Sequence, residues 1–258
     1  MKIHPDLDIW IVHEFDRSLG FDASNLLSSL ALFPTRSGGD RIRWGECQWV
    51  DGTHRALKYR GHDLRRKKIW LQRGDPLADG FTKYYYTGWQ RRVLPATSCV
   101  DKCPAVVPIW DAYDSFCDAN HIMRANHSIV TSYADGKHGI GAHFDKPQSI
   151  AASTAEQSSM ITVLKLGPSA RRFTVELLDG TVVYDNTVAP GTAIMMTLEA
   201  NLQTKHAVPE VDECGPSGSI VFRTITDAVP WEKLQAELRK MDEKEAADGT
   251  PAPLGAPQ

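Results

Sequence analysis

In the stretch Tyr133-Ala-Asp-Gly-Lys-His-Gly-Ile-Gly-Ala-His143-Phe-Asp145, an imidazole and a carboxylate stand two residues apart. If that segment is extended, both side chains point to one face and can meet a single ion. A second imidazole from a distant strand would complete a two-histidine, one-carboxylate face. This donor set suits Fe(II) and leaves coordination positions open for a co-substrate and O2. His206, in Gln203-Thr-Lys-His-Ala-Val-Pro209, follows about sixty residues later, and Arg223, in Ser219-Ile-Val-Phe-Arg-Thr-Ile-Thr226, seventeen residues after that. An arginine entering a pocket from a strand offers a planar, two-toothed clamp for a carboxylate. A His-x-Asp pair alone arises often by chance, so the informative signal is the ordered set His143, Asp145, His206 and Arg223.

Other titratable residues fit blander roles. His138 follows a glycine turn, His121 and His127 flank the start of a strand, and Asp135 suits the turn itself. No glycine-rich phosphate loop, serine-nucleophile motif or paired CxxC is present, which leaves other enzyme classes little support. The five cysteines (Cys47, Cys99, Cys103, Cys117, Cys214) are odd in number, and only Cys99 and Cys103 lie close together. They read as reduced, buried thiols, a Cys99–Cys103 disulfide being the less favoured alternative.

The elements that must position these groups read as mainly β. Runs of β type occur at Lys68–Gln72, Thr82–Thr87, His127–Tyr133, Ser159–Gly167, Arg171–Leu178, Thr181–Tyr184, Thr192–Thr197 and Ser219–Thr226, punctuated by Asp-Gly and Pro-Gly pairs. Many short strands without long intervening helices argue a sandwich or barrel of the jelly-roll kind with flanking helices. Residues 41–50 alternate and end at Asp51-Gly52, as for a strand entering a hairpin. Helices are expected after an Asp22 or Ser24 cap, over Asp111–Asn120, and from Pro230 to Lys244, before a Pro-rich disordered tail. The expected organisation is an N-terminal extension over 1–56, a core over 57–229 with a basic lid at 57–92, and a C-terminal helix and tail over 230–258.

With 258 residues, 42% hydrophobic and 24% charged, the chain has an ordinary globular composition. Its apolar runs fall far short of the roughly 20 residues of a membrane helix, and its start lacks a leader pattern, so a soluble, intracellular protein of cytoplasm or nucleus is expected. The net charge of −3 is unevenly spread: from Arg55 to Arg92 eleven Lys/Arg face three Asp, a local balance of +8. Such a stretch could hold phosphates, or be a solvated face.

The motif set resembles the AlkB-like branch of the Fe(II)/2-oxoglutarate-dependent dioxygenases. Tyr133, Gly136, His143 and Asp145 match its Tyr, glycine turn and His-x-Asp. Val163-Leu-Lys-Leu-Gly167, Arg172-Phe173, the Met-rich strand from Gly191 to Met196, His206 and the terminal Phe222-Arg223 follow in the family's order, and Arg65-Arg-Lys-Lys-Ile-Trp70 and Tyr84-Tyr-Tyr-Thr-Gly88 resemble segments upstream of its core. The likeness spans roughly residues 57–226. It implies a double-stranded β-helix, iron on His143, Asp145 and His206, and 2-oxoglutarate held by Arg223 with Tyr133 and Thr131. It also implies consumption of O2 and 2-oxoglutarate in the hydroxylation of a C–H bond. Two departures stand out: Thr131 replaces a frequent Asn, and the last strand carries one arginine where the family often has two. Arg223 matches the first of those by its distance from His206 and the second by its Phe-Arg context.

For the substrate, aromatic residues among basic ones suit base stacking with phosphate contact, or a core. The candidate contacts are Arg65, Arg66, Trp70, Tyr84, Tyr86, Lys165 and Arg172. The first reading is an alkylated or methylated nucleobase in DNA or RNA. The alternatives are the same chemistry on a small metabolite or protein side chain, and a non-catalytic binding module on the same fold.

Overall fold

The computed structural model describes residues 1–40, 42–54, 57, 63–83 and 96–247. In chain order it has β1 (Lys2–His4), β2 (Leu7–Val12), α1 (Phe15–Ser18), α2 (Ala23–Leu30), β3 (Thr35–Arg36), β4 (Trp49–Val50), β5 (Lys67–Gln72), α3 (Pro76–Asp79), β6 (Phe81–Lys83), β7 (Ser98–Cys99) and α4 (Val107–Ala119). There follow β8 (His127–Tyr133), β9 (Ile140–His143), β10 (Met160–Leu166), β11 (Arg171–Leu177), β12 (Val182–Val188), β13 (Ala193–Thr197), α5 (Leu198–Gln203), β14 (Thr204–Val208), β15 (Ser217–Arg223), β16 (Ala228–Pro230) and α6 (Trp231–Ala247).

The main sheet runs β1-β2-β13-β10-β15-β8-β5-β4-β3, and a second sheet runs β12-β11-β14-β9. From β8 onward the chain passes repeatedly between the two. Apolar residues of both sheets share one core: Ile161, Val163, Ile194 and Met196 from the first meet Phe173, Val175, Tyr184 and Val188 from the second. The opposite face of the main sheet, carrying Ile69, Val130, Leu164 and Ile220, lies under Leu26, Leu27 and Leu30 of α2 and Trp110 and Tyr113 of α4. A sheet covered on both sides must be apolar throughout, and every residue of β10 is buried.

Local signals explain much of this. Asp22 caps α2 by accepting a hydrogen bond from the Ser24 amide (2.8 Å). Pro108 sits in the first turn of α4, where its missing N–H is harmless, so the helix begins earlier than the expected Asp111. Residues 42–48 do not form the expected strand. The buried Gln48 side chain accepts from the Arg43 amide (3.1 Å) and donates to the Arg43 carbonyl, satisfying locally what a ladder would otherwise satisfy. The expected strand over Thr82–Thr87 is described only as β6, its remainder lying outside the described residues. β1 and β2 went unforeseen. They join the main sheet beside β13 while β3 and β4 form its other end, so the first fifty residues contribute to both ends of it. The cysteine expectation is corrected as well: Cys47 and Cys103, fifty-six residues apart, form a disulfide between the segment before β4 and the approach to α4, while Cys99, Cys117 and Cys214 are free. Among the described residues no helix is long and apolar enough to cross a membrane.

Candidate metal centre

β9 and β14 pair antiparallel with His143 directly opposite His206. Residues so placed point to the same side of a sheet, and the two imidazole centroids lie 4.5 Å apart. Asp145 is not on the strand, as the two-residue periodicity had implied, but just beyond its end, where the chain turns into a 3-10 turn at Pro147–Ser149. Its position is set by Asn201 of α5, which accepts from the Asp145 amide (2.8 Å) and donates to the Asp145 carbonyl (2.7 Å), both bonds being buried. One potential ligand atom from each of His143, Asp145 and His206 lies within 4.8 Å of the other two.

The protonation states suit ligation. Burial, and next the neighbouring His143, push the His206 imidazole down to about 3, and burial lowers His143 too. Both rings are therefore neutral at pH 7, with a lone pair available. His143 Nδ1 donates to the Gly141 carbonyl (2.8 Å), which leaves its Nε2 as the ligand atom. His206 Nδ1 is buried without a hydrogen-bond partner among the described residues. Burial opposes ionisation of Asp145, but the Arg223 guanidinium and the two imidazoles more than offset it and hold the carboxyl well below its usual range. Two neutral imidazoles and an ionised carboxylate therefore converge as the metal reading requires.

Arg223 is placed differently from its expected role. Its Nε and Nη2 donate to the same oxygen of Asp145, at 2.9 and 2.7 Å, in a buried ion pair. In β15 it stands opposite His127, whereas Ser217, six residues earlier, stands opposite Tyr133. Six residues of strand is roughly 20 Å, so the structure does not bring Arg223 together with Tyr133.

Beside the Tyr133 ring stands the Arg171 guanidinium, and two lysines stand on the same sheet. The registers β10/β15, β15/β8 and β8/β5 align Lys165, Ser219, Thr131 and Lys68 in one row across the main sheet. The alternation that places Val163 and Tyr133 in the inter-sheet core turns this row toward the same interior. Lys165 is 1% exposed and its Nζ has no hydrogen-bond partner among the described residues, with the Phe173 ring 5.9 Å away. Burial, and then Arg171, push its ammonium down to about 8, Cys214 acting in the opposite sense.

The remaining candidates divide. Arg171, passed over in favour of its neighbour, points inward, where its guanidinium lies 5.7 Å from the Tyr133 ring centroid. It donates to the carbonyls of Asp135 (3.1 Å), Gly136 (3.0 Å), Pro209 (2.9 Å) and His138, tying the loop before β9 to the chain after β14. The same loop needs its glycine: a Cβ at Gly136 would come within 2.1 Å of the Val211 carbonyl oxygen. Arg172 lies on the outer face of β11, paired with Asp185 (2.6 Å), away from the interior. Trp70 is 3% exposed in a cluster with Trp44, Ile129 and Trp231, as core rather than stacking platform. Arg65 is exposed, and Arg66 is half-buried and donates to the Gly139 carbonyl (2.9 Å) at the entry to β9. Tyr84 and Tyr86 lie outside the described residues. Asn201 was missed because its signal is tertiary: it sits in a short helix fifty-six residues from the aspartate it holds. Replacing Asn201 by alanine should weaken Fe(II) affinity about 10–100-fold, as loss of outer-shell support typically does, measured by competition with a chelator of known affinity.

No family model matches the sequence, and no curated protein matches it. Among solved structures, the chain is similar to that of OsALKBH1, at 12% identity over 86% of this chain and 100% of that one, with a TM-score of 0.46. It is also similar to a Trichoplax adhaerens prolyl hydroxylase in complex with a hypoxia inducible factor oxygen degradation domain peptide fragment, at 10% identity over 84% of each chain, with a TM-score of 0.45.

Proposed function

We propose that the protein is an Fe(II)- and 2-oxoglutarate-dependent dioxygenase that hydroxylates a substrate C–H bond, with His143, Asp145 and His206 as the iron ligands. The observation that carries this reading is the convergence of two neutral imidazoles, one half-buried and one buried, with a buried ionised carboxylate. The alternation of β8–β15 between those sheets supports the reading as a double-stranded β-helix. Iron, O2 and 2-oxoglutarate together would supply the oxidising power, one oxygen atom going to the substrate C–H and the other to succinate as CO2 leaves.

The work of the chain is to hold these parts. Arg223 keeps Asp145 ionised and turned through one oxygen, so that the other can ligate. We assign the distal carboxylate of 2-oxoglutarate to Lys165, with the Thr131, Ser219 and Tyr133 hydroxyls beside it. An unpaired, buried ammonium is costly, and a carboxylate would remove that cost. Arg223 thereby moves from clamping the co-substrate to positioning the metal ligand.

Anaerobic addition of Fe(II) and 2-oxoglutarate to the metal-free protein tests the reading. A weak visible charge-transfer band should need both additions and vanish in His143→Ala; a wild type without the band would sink the proposal. The first substrate reading, an alkylated or methylated nucleobase in DNA or RNA, draws on the +8 stretch from Arg55 to Arg92. It requires salt-sensitive oligonucleotide binding, and no affinity even at low salt would remove it.

A further inference from the structure

The interior row of the main sheet ends in a cation on each side, Lys165 at one end and Lys68 at the other, with Ser219 and Thr131 between. Three strand spacings, roughly 14 Å, separate the ends. The two ammonium groups live in different electrostatic surroundings. Lys165 senses Arg171 and Cys214, whereas Lys68 senses Arg66, Arg223 and Asp145, and His143 in turn senses Lys68. Lys68 thus belongs to the metal end of the interior and Lys165 to the far end. A single five-carbon dicarboxylate gripping the metal at one end can satisfy Lys165 at the other, but it leaves Lys68 without an anion of its own.

The anion that Lys68 senses among the described residues, Asp145, is already gripped by two bonds from Arg223. Arg66 adds a second half-buried cation two residues along β5's approach, its Nε buried without a hydrogen-bond partner. Residues 55–62 and 84–95, which precede β5 and follow β6, contain no Asp or Glu. Half-buried cations that repel one another, and whose attracting carboxylate among the described residues is already held by Arg223, mark a place where a ligand can bring negative charge.

Resting on the dioxygenase reading above, we infer that Lys68, backed by Arg66, binds an oxyanion of the substrate being oxidised. The substrate is then a small molecule with a carboxylate or phosphate monoester within a few bonds of the attacked carbon. The position of Lys68 separates this from a polymer. An enzyme acting on a base within a nucleic acid takes the base into its pocket and leaves the phosphodiester chain outside, where contacts are made at the rim. A cation within electrostatic reach of the metal ligands meets the oxidised moiety itself.

The test uses the Fe(II)- and 2-oxoglutarate-loaded protein under argon, with inorganic phosphate and acetate titrated calorimetrically as separate probes at constant ionic strength. Saturable binding of at least one probe is expected in the wild type, weakened at least tenfold in Lys68→Met and restored to within about threefold in Lys68→Arg. The affinity for 2-oxoglutarate, read from the charge-transfer band, should differ by less than about threefold among the three proteins. Phosphate favoured over acetate would identify a phosphate monoester as the group recognised, and the reverse a carboxylate. Equal probe binding by Lys68→Met, or no saturable binding by the wild type, would overturn the inference. So would a tenfold loss of 2-oxoglutarate affinity in Lys68→Met, which would assign Lys68 to the co-substrate. Absence of the band in the wild type before any probe is added would instead remove the iron reading, and this inference with it.

Discussion

Lys165→Met should lose 2-oxoglutarate affinity by about 100-fold, or roughly 2.7 kcal/mol, while Fe(II) affinity stays within a few-fold of wild type. The two effects separate because, in the proposed function, the ammonium holds the co-substrate carboxylate and no contact joins it to the three metal donors among the described residues. The same substitution should stabilise the protein without co-substrate. A buried ammonium with no hydrogen-bond partner among the described residues, 1% exposed and pushed from 10.5 down to about 8, costs on the order of 3 kcal/mol at neutral pH. Methionine fills a similar volume without that cost. The pH dependence has a definite sign. Between about 8 and 10.5 the unfolded chain holds the Lys165 proton more firmly than the folded one, so stability of the wild type rises with pH through that window. Below about 8 the penalty is complete and constant. The advantage of Lys165→Met in urea unfolding should therefore be flat below pH 8 and shrink toward pH 10.5, and 2-oxoglutarate should erase it by stabilising the wild type alone. A variant less stable than wild type, with unchanged co-substrate affinity, would return Lys165 to the list of ordinary core residues.

Arg223→Met carries the second large effect. It leaves Asp145 buried with its principal counter-charge gone, and breaking a buried pair from one side typically costs about 3–5 kcal/mol. Asp145 adds stability in the wild type because its folded carboxyl titrates well below the unfolded value near 3.8. That contribution is complete above the unfolded value and is lost as pH falls through the folded one. Without Arg223, burial is opposed by the two imidazoles without the guanidinium, and the carboxyl titrates higher than in the wild type. The stability gap between the proteins should then be full at pH 7 and narrow below about pH 4, where Asp145 is increasingly protonated in the variant, and guanidinium unfolding at both pH values would measure it. Arg223→Lys should recover only part, since a lysine is a point charge without the fork that makes two bonds to one carboxylate oxygen. If Arg223 held only the co-substrate, neither the loss at pH 7 nor its narrowing in acid would appear in the protein without ligands.

Sequence by itself determined the candidate donors and their order: His143 and Asp145 two apart, then His206, then a basic residue on the last long strand. It also determined where most core strands run, because apolar β-type runs and Gly or Pro punctuation are local properties, and it determined the Asp22 cap for the same reason. Tertiary structure alone decided which charged residue lies beside which group. In β10, where every position is buried, the alternation of polar and apolar residues that would reveal the inward face is absent, so Lys165 did not stand out as inward-facing. In β11 only the packing shows that Arg171 turns in and Arg172 out to Asp185. The register of β15 against β8 puts Arg223 at the His127 end, within reach of Asp145, and no count of residues along one strand contains that pairing. Asn201 and the Cys47–Cys103 disulfide are likewise contacts across fifty-six residues of chain. Spacing and composition report on neighbours in sequence, whereas the polarity of a buried site is set by which distant strands come to lie side by side.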